Sequence, residues 1–273
     1  MENMSVMAIQ AVHTNDTGLY VCKAQSKRSP TNGHERESIT TKNVSLDILY
    51  PPKPPVLHFS TCSQSFSTQS LKVIKGQLIN VSCTTTGNPD PTYSWHPQLY
   101  GSGNILILAN INVHQTGIFS CVANNVMSRT YGEKVNGETL SSFKLDVLES
   151  PVVNHIPNQT LLLNTTLDIV CPYTDGNPPK TSLLWQRENV SLESMNREHL
   201  IIKHITKSDE GWYKSSVFNT MEITGCDVKE GVSDSSYYLD VQYAAKLKQF
   251  LVNGFDTFNT ISVNESDRIE FIC

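Results

Sequence analysis

The sequence lacks a leader. Met1-Glu2-Asn3-Met4-Ser5 has neither the basic start nor the apolar stretch of a secretory signal. It also lacks the run of about 20 apolar residues that a membrane-spanning helix needs; the longest aliphatic run is Ile105-Leu106-Ile107-Leu108-Ala109. No membrane insertion is expected within this segment. Clustered basic charge is absent too. The 21 Lys and Arg are scattered among 26 Asp and Glu, for a net charge of -5, and leave no electrostatic footprint for a nucleic-acid backbone or an anionic membrane. Nucleic acid is not expected as a partner.

Motifs that carry chemistry are missing as well. There is no nucleophile elbow, no His-Glu-x-x-His, no phosphate-cradling glycine loop and no calcium-binding aspartate series. His34 beside Glu35 is the nearest approach to a catalytic pair; it falls where a loop is predicted and reads as solvated. His96, His155 and His204 are isolated and show no metal-ligand spacing. No catalytic residue, cofactor or metal is assigned, and an enzyme is not expected.

What is present points outside the cell. Asn-x-Ser/Thr acceptors are headed by Asn3, Asn15, Asn43, Asn80, Asn158, Asn164, Asn189 and Asn264, none with an intervening proline. A Ser- and Thr-rich chain produces some of these by chance, so partial occupancy is expected. Seven cysteines without a Cys-x-x-Cys pair fit disulfides in an oxidising compartment better than zinc or redox chemistry. An extracellular chain without a leader is expected to be a fragment whose beginning is missing.

One pattern recurs three times. It reads Met7-x-Ile9-x-x-Val12-x-x-x-Asp16-x-Gly18-x-Tyr20-x-Cys22, then Leu106 through Ile111, Gln115, Gly117 and Phe119 to Cys121, then Leu200 through Ile205, Asp209, Gly211 and Tyr213 to Ser215. The same interval then leads from Cys22, Cys121 and Ser215 to Leu46, Leu145 and Leu239, each opening a Leu-Asp-Ile or Leu-Asp-Val element. Upstream, Ile79-x-Val81-x-Cys83 and Leu167-x-Ile169-x-Cys171 alternate with period two, and each leads through a Gly-Asn-Pro turn to a tryptophan, Trp95 or Trp185. Ile269-x-Phe271-x-Cys273 begins that strand again.

These residues resemble the immunoglobulin superfamily, in its compact I-set or C2-like type: cysteine on strand B, tryptophan on strand C, and Asp-x-Gly-x-Tyr-x-Cys entering strand F. The resemblance covers nearly the whole chain. It implies an all-β fold of tandem sandwiches arranged end to end as a rod, a bridge from Cys83 to Cys121, Trp95 and Trp185 packed in their cores, and tyrosine corners at Tyr20, Phe119 and Tyr213. Phe119 cannot make the corner hydrogen bond, and Gln115 replaces the usual Asp. Domain limits are expected at 1–49 (last strands of a truncated domain), 50–148 (complete), 149–242 (complete, without the strand F cysteine) and 243–273 (start of a truncated domain). The joint Tyr50-Pro51-Pro52-Lys53-Pro54-Pro55 should be stiff and extended.

With Ser215 in the cysteine position, Cys171 is expected to be a buried free thiol, with Cys62 and Cys226 exposed or paired outside the chain; a bridge from Cys171 to Cys226 is the minor alternative. The interval from strand F to strand G exceeds that of a short hairpin. It reads either as enlarged contact loops, carrying Lys27, Arg28 and Arg36 or Met127, Arg129 and Tyr131, or as longer strands, and the second is favoured two to one. The resemblance implies a binding module in the ectodomain of a cell adhesion or recognition receptor, on the outer side of the plasma membrane or secreted. Its partners would be cell-surface or extracellular proteins, a homophilic partner among them. The ligand-binding part of a receptor kinase or phosphatase, or a secreted matrix or decoy protein, are the alternatives.

Overall fold

Strands carry almost all the regular structure in the computed structural model, which describes residues 5–61, 64–98, 101–192, 198–245, 250–256, 262, 264–266 and 268–272. The chain divides into two units: Met1–Glu149 with Thr220–Glu230, and Ser150–Asn219 with Gly231–Cys273.

The first unit opens with a 3-10 turn at Thr14–Asp16 and an antiparallel hairpin of β1 (Gly18–Arg28) and β2 (Arg36–Leu46), in register from Gly18↔Leu46 to Arg28↔Arg36. Its residues alternate as strands should, yet among the described residues no second sheet covers them. Met7, Val12 and Val44 therefore remain exposed. Nine further strands follow: β3 (Val56–Thr61), β4 (Gln64–Phe66), β5 (Ser70–Ile74), β6 (Ile79–Thr84), β7 (Thr92–His96), β8 (Gly101–Ser102), β9 (Ile105–Leu108), β10 (Gly117–Ser128) and β11 (Lys134–Leu148). They form one sheet in the order β4-β3-β6-β9-β8-β7-β10-β11-β5. Short β8 pairs with both β7 and β9, so the sheet turns over there and closes on a core that includes Phe59, Ile79, Trp95, Phe119, Phe143 and Leu145. Period-two alternation does this work: in β6, Ile79, Val81 and Cys83 are buried while Asn80 faces out.

The proline-rich joint runs along the open edge of β11, where its missing N–H groups cost no ladder hydrogen bonds. Ser141 Oγ donates to the Pro55 carbonyl at 2.6 Å. At Gly137 the joint comes so close that a Cβ there would lie 2.8 Å from Pro51 Cβ. Opposite Gly137 in the register, Asn125 donates through Nδ2 to the carbonyls of Tyr50 and Pro89, both at 2.9 Å.

The second unit holds β12 (Val152–Val153), β13 (Gln159–Leu162), β14 (Leu167–Val170), β15 (Tyr173–Thr174), β16 (Ser182–Arg187), β17 (Val190–Ser191), β18 (His199–Ile202), β19 (Gly211–Met221) and β20 (Lys229–Gln242). A five-stranded sheet, β13-β20-β19-β16-β17, and the pairs β12-β15 and β14-β18 surround Cys171, Trp185, Ile205, Tyr213, Tyr237 and Leu239. The edge device recurs: Asn219 Nδ2 donates to the Pro178 carbonyl at 2.7 Å, and a Cβ at Gly231 would meet Ser150 Oγ at 2.7 Å. Beyond it, β21 (Leu251–Val252), β22 (Phe255–Asp256) and β23 (Phe271–Ile272) form a small sheet in the order β22-β21-β23.

The far end of the β19–β20 hairpin, Thr220–Glu230, belongs to the first unit. There Thr224 N donates to the Lys72 carbonyl at 3.0 Å and Lys72 N donates to Thr224 Oγ1 at 2.8 Å. Leu148, Met221 and Ile223 bury one another beside Ile74 and Cys226. The lengthened F-to-G intervals are thus long paired strands: β10 and β11 stay in register out to Ser128↔Lys134.

Candidate interaction surface

The repeated motif residues are occupied in holding the fold. Tyr20 Oη donates to the Asp16 carbonyl at 2.9 Å and Tyr213 Oη to the Asp209 carbonyl at 2.8 Å. Phe119 has no hydroxyl, and its ring stacks on Phe143 at 5.6 Å, as Tyr213 stacks on Tyr237 at 5.5 Å. Gln115 does the task of the aspartates: its Oε1 accepts from Asn112 N at 2.8 Å, where Asp16 accepts from His13 N at 2.7 Å and Asp209 from Thr206 N at 2.8 Å. Cys83 and Cys121 are bonded, with Cα atoms 6.5 Å apart, and Trp95 lies opposite Cys121 in the register as Trp185 lies opposite Ser215.

Cys171 is a buried free thiol, and burial pushes its pKa up, the nearby Ser215 hydroxyl countering in part. The expectation for Cys226 needs correction, because Cys226 is disulfide-bonded and packs beside the Leu148–Met221–Ile223 cluster. A hairpin end seated on a neighbouring surface gives a loop thiol the partial burial that sequence position alone does not reveal. Cys62 and Cys273 lie outside the described residues, as does Asn3. Every other sequon asparagine is exposed: Asn15 in its 3-10 turn, Asn43 on β2, Asn80 on β6, and Asn158, Asn164, Asn189 and Asn264. Asn158 and Asn164 also use their carboxamides, Oδ1 of Asn158 accepting from Tyr238 N at 2.9 Å and Oδ1 of Asn164 lying 3.2 Å from His204 Nδ1.

An unused surface remains on the outer side of strand F. The residue just before each corner ring points outward and is large and apolar: Leu19 is 64% exposed, Ile118 69% and Trp212 57%. Ile118 borders a shallow groove with Pro55, Leu57, Thr68 and Leu140. Trp212 meets Tyr238 edge to face at 5.4 Å, and Tyr238 Oη lies 3.2 Å from Glu210 Oε1. The Tyr238 phenol is held above its ordinary pKa by desolvation and then by the carboxylates of Glu210, Asp240 and Glu188, which places three acids around the aromatic pair. At the end of the first hairpin, Lys27, Arg28 and Arg36 are all exposed. Reasoning from the sequence passed over the outward row, although the signal was there: in Gly-x-Tyr-x-Cys, x is Leu19, Ile118 or Trp212 while period two sends it to solvent.

Among the described residues no group of His, Cys, Asp and Glu could hold a metal ion, His34 and Glu35 are exposed, and no helix is long and apolar enough to cross a membrane.

No protein-family profile matches the chain. Curated relatives do: Hemicentin-1 of Homo sapiens is 24% identical over 97% of this chain and 4% of its own length. Contactin-5 of Gallus gallus is 22% identical over 84% of this chain and 22% of its own length, and Lachesin of Drosophila melanogaster 24% identical over 75% and 52%. The chain therefore spans only part of each. These relatives are adhesion proteins of one superfamily and not enzymes. Among solved structures, the I67–I69 fragment of titin superposes with a TM-score of 0.54 at 18% identity, covering 85% of this chain and 77% of its own. The repeat, the all-β sandwiches and the solved neighbour agree on a fold of tandem immunoglobulin-like domains, and the relatives are adhesion proteins of the immunoglobulin superfamily.

Proposed function

We propose that the chain is a binding segment of a cell adhesion or recognition ectodomain, displayed on the extracellular face of the plasma membrane or secreted, and that it contacts other surface proteins through the outer sides of its F and G strands. It comprises part of one domain (1–49), two whole domains (50–148 and 149–242) and the start of another (243–273). The observation that carries the reading is the outward apolar row Leu19, Ile118 and Trp212, which contributes nothing to the cores and is exposed at every repeat. Aromatic and large apolar anchors of this kind dominate binding energy at protein interfaces. Exposed sequons, Asn80 of β6 among them, fit a glycosylated chain.

The test is to secrete the chain behind a signal peptide, multimerise it on beads and measure binding to cells. Glycosidase-sensitive mass is expected, with binding that falls on Trp212→Ala and Ile118→Ser while the melting temperature stays within about 2 °C, because surface changes are worth about 0.5 kcal/mol or less. Unglycosylated product, or binding indifferent to both substitutions, refutes the reading.

A further inference from the structure

Arg28 and Arg36 face each other on the last rung of β1–β2. Directly opposed like charges destabilise a strand pair. The neighbouring rung is balanced, Lys27 opposite Glu37, whereas no ion pair among the described residues relieves the arginines. The nearest carboxylate along the turn, Glu35, accepts from Ser29 Oγ. The rung is thus a forked cationic end waiting for carboxylates, and paired guanidinium groups bind them in bidentate fashion.

The same chain presents the complement. Tyr238 Oη lies 3.2 Å from Glu210 Oε1, Glu188 Oε1 lies against Gly211 beside Trp212, Asp240 adds a third carboxylate, and the nearby cations have partners of their own, Lys207 standing over the Tyr243 ring at 4.8 Å. Arg187 gives its Nη2 to the carbonyls of Ser208 and Glu210 and lies 3.9 Å from Asp209, while Lys214 is held by Asp234 at 2.8 Å. What remains is a half-exposed indole with a surplus of negative charge at its rim. A guanidinium fits there better than an ammonium, because it can stack on the ring while its edge meets a carboxylate.

Resting on the binding-segment reading above, we infer that these two surfaces are the halves of one self-recognition contact: the Arg28–Arg36 rung of one copy seats on the acid-rimmed Trp212–Tyr238 pair of a second copy. The two halves differ, so the contact is made twice in a two-fold pair or once per joint in an open head-to-tail series. It is small, so each contact is weak and arrays on opposed surfaces make it effective.

Sedimentation velocity of the whole chain tests the pairing by charge exchange. Glu188→Lys with Glu210→Lys, or Arg28→Glu with Arg36→Glu, should each weaken self-association by about tenfold or more, and all four changes together should restore it to within about threefold. Trp212→Ala should weaken it by a similar factor without lowering the melting temperature. If the lysine variants misfold, Glu188→Gln with Glu210→Gln gives the same loss without reversing charge. Association that survives both reversals, which the open apolar face of β1–β2 would produce, overturns the inference. So does loss without rescue in the fourfold variant, or arginine-dependent binding to heparin by a chain that stays monomeric. A monomeric chain that still binds cells through Trp212 overturns this pairing and leaves the binding-segment reading intact.

Discussion

Ser215→Cys should install in the second unit the bridge that the first sandwich has. The register is already right, since Ser215 stands opposite Trp185 as Cys121 stands opposite Trp95. Cys171 and Ser215 are both essentially fully buried. The Ser215 hydroxyl has nothing better beside it than the weakly polar Cys171 thiol, so removing it exposes no orphaned partner. Closing a loop of about 44 residues removes denatured-state entropy worth about 4 kcal/mol at 25 °C, an upper figure because native strain subtracts from it. If half is realised, about 2 kcal/mol on a domain of about 100 residues raises the melting temperature by roughly 10 °C. The assay is calorimetry of oxidised and reduced protein, with the 171–215 crosslinked peptide confirmed by mass spectrometry and Ser215→Ala as the control for losing the hydroxyl. The oxidised variant should melt higher than both the reduced variant and the control. A confirmed bridge with no rise, or with a fall, would refute the reasoning and show a core already settled around the thiol.

Other outcomes follow from single contacts. Asn125→Ala removes two hydrogen bonds to Tyr50 and Pro89 and should cost about 2 kcal/mol in urea melts; a change near zero would mean that water replaces both. Phe119→Tyr supplies the corner hydroxyl and should stabilise by up to about 1 kcal/mol, while Tyr213→Phe, which loses the 2.8 Å bond to Asp209, should cost about as much. Met221→Arg places a charge in the cluster with Leu148 and Ile223; amide exchange at Lys72 and Thr224 should accelerate while the β6 amides keep their protection, and unchanged exchange would count against the seated hairpin. Iodoacetamide should alkylate exposed Cys22 quickly and buried Cys171 slowly. Because burial raises the Cys171 pKa, the folded state resists thiolate formation, so its stability falls as pH rises above the thiol's unfolded value; equal labelling of the two thiols near neutral pH would contradict that placement.

Much of the fold could be read from the sequence because its signals are local. Ile79-x-Val81-x-Cys83 alternates, and the alternation is what buries one face. The Asp16 and Asp209 turns announce themselves by spacing, whereas Gln115 reads as a departure from the pattern until its Oε1 is found accepting from Asn112 N. The longer F and G strands are the favoured reading of the interval, and pairing with β10 makes even the polar Lys134–Glu138 stretch strand. Two features escaped for a shared reason: tertiary contact decides them. Cys226 looks like an exposed loop thiol until the hairpin end finds Leu148 and Ile74. Asn125 and Asn219 look like ordinary polar strand residues until the segments at Pro51 and Ser150 press against Gly137 and Gly231.

The rung that carries Arg28 and Arg36 explains why one hairpin design can serve different contacts. Counted from Cys22, Cys121 and Ser215, its first-strand position is Arg28, then Met127, then Met221. In the second hairpin Met127 pairs with Val135, an apolar rung. In the third, Met221 is buried against Leu148 and Ile223, so an apolar side chain here is what seats a hairpin end on a protein surface. An arginine pair in the same place cannot seat that way, because burying two guanidinium groups without carboxylates costs more than the packing returns. The first hairpin end is thus excluded from the apolar docking of the third and committed to an acidic partner, and the residues that set the choice lie outside every core position of the repeat.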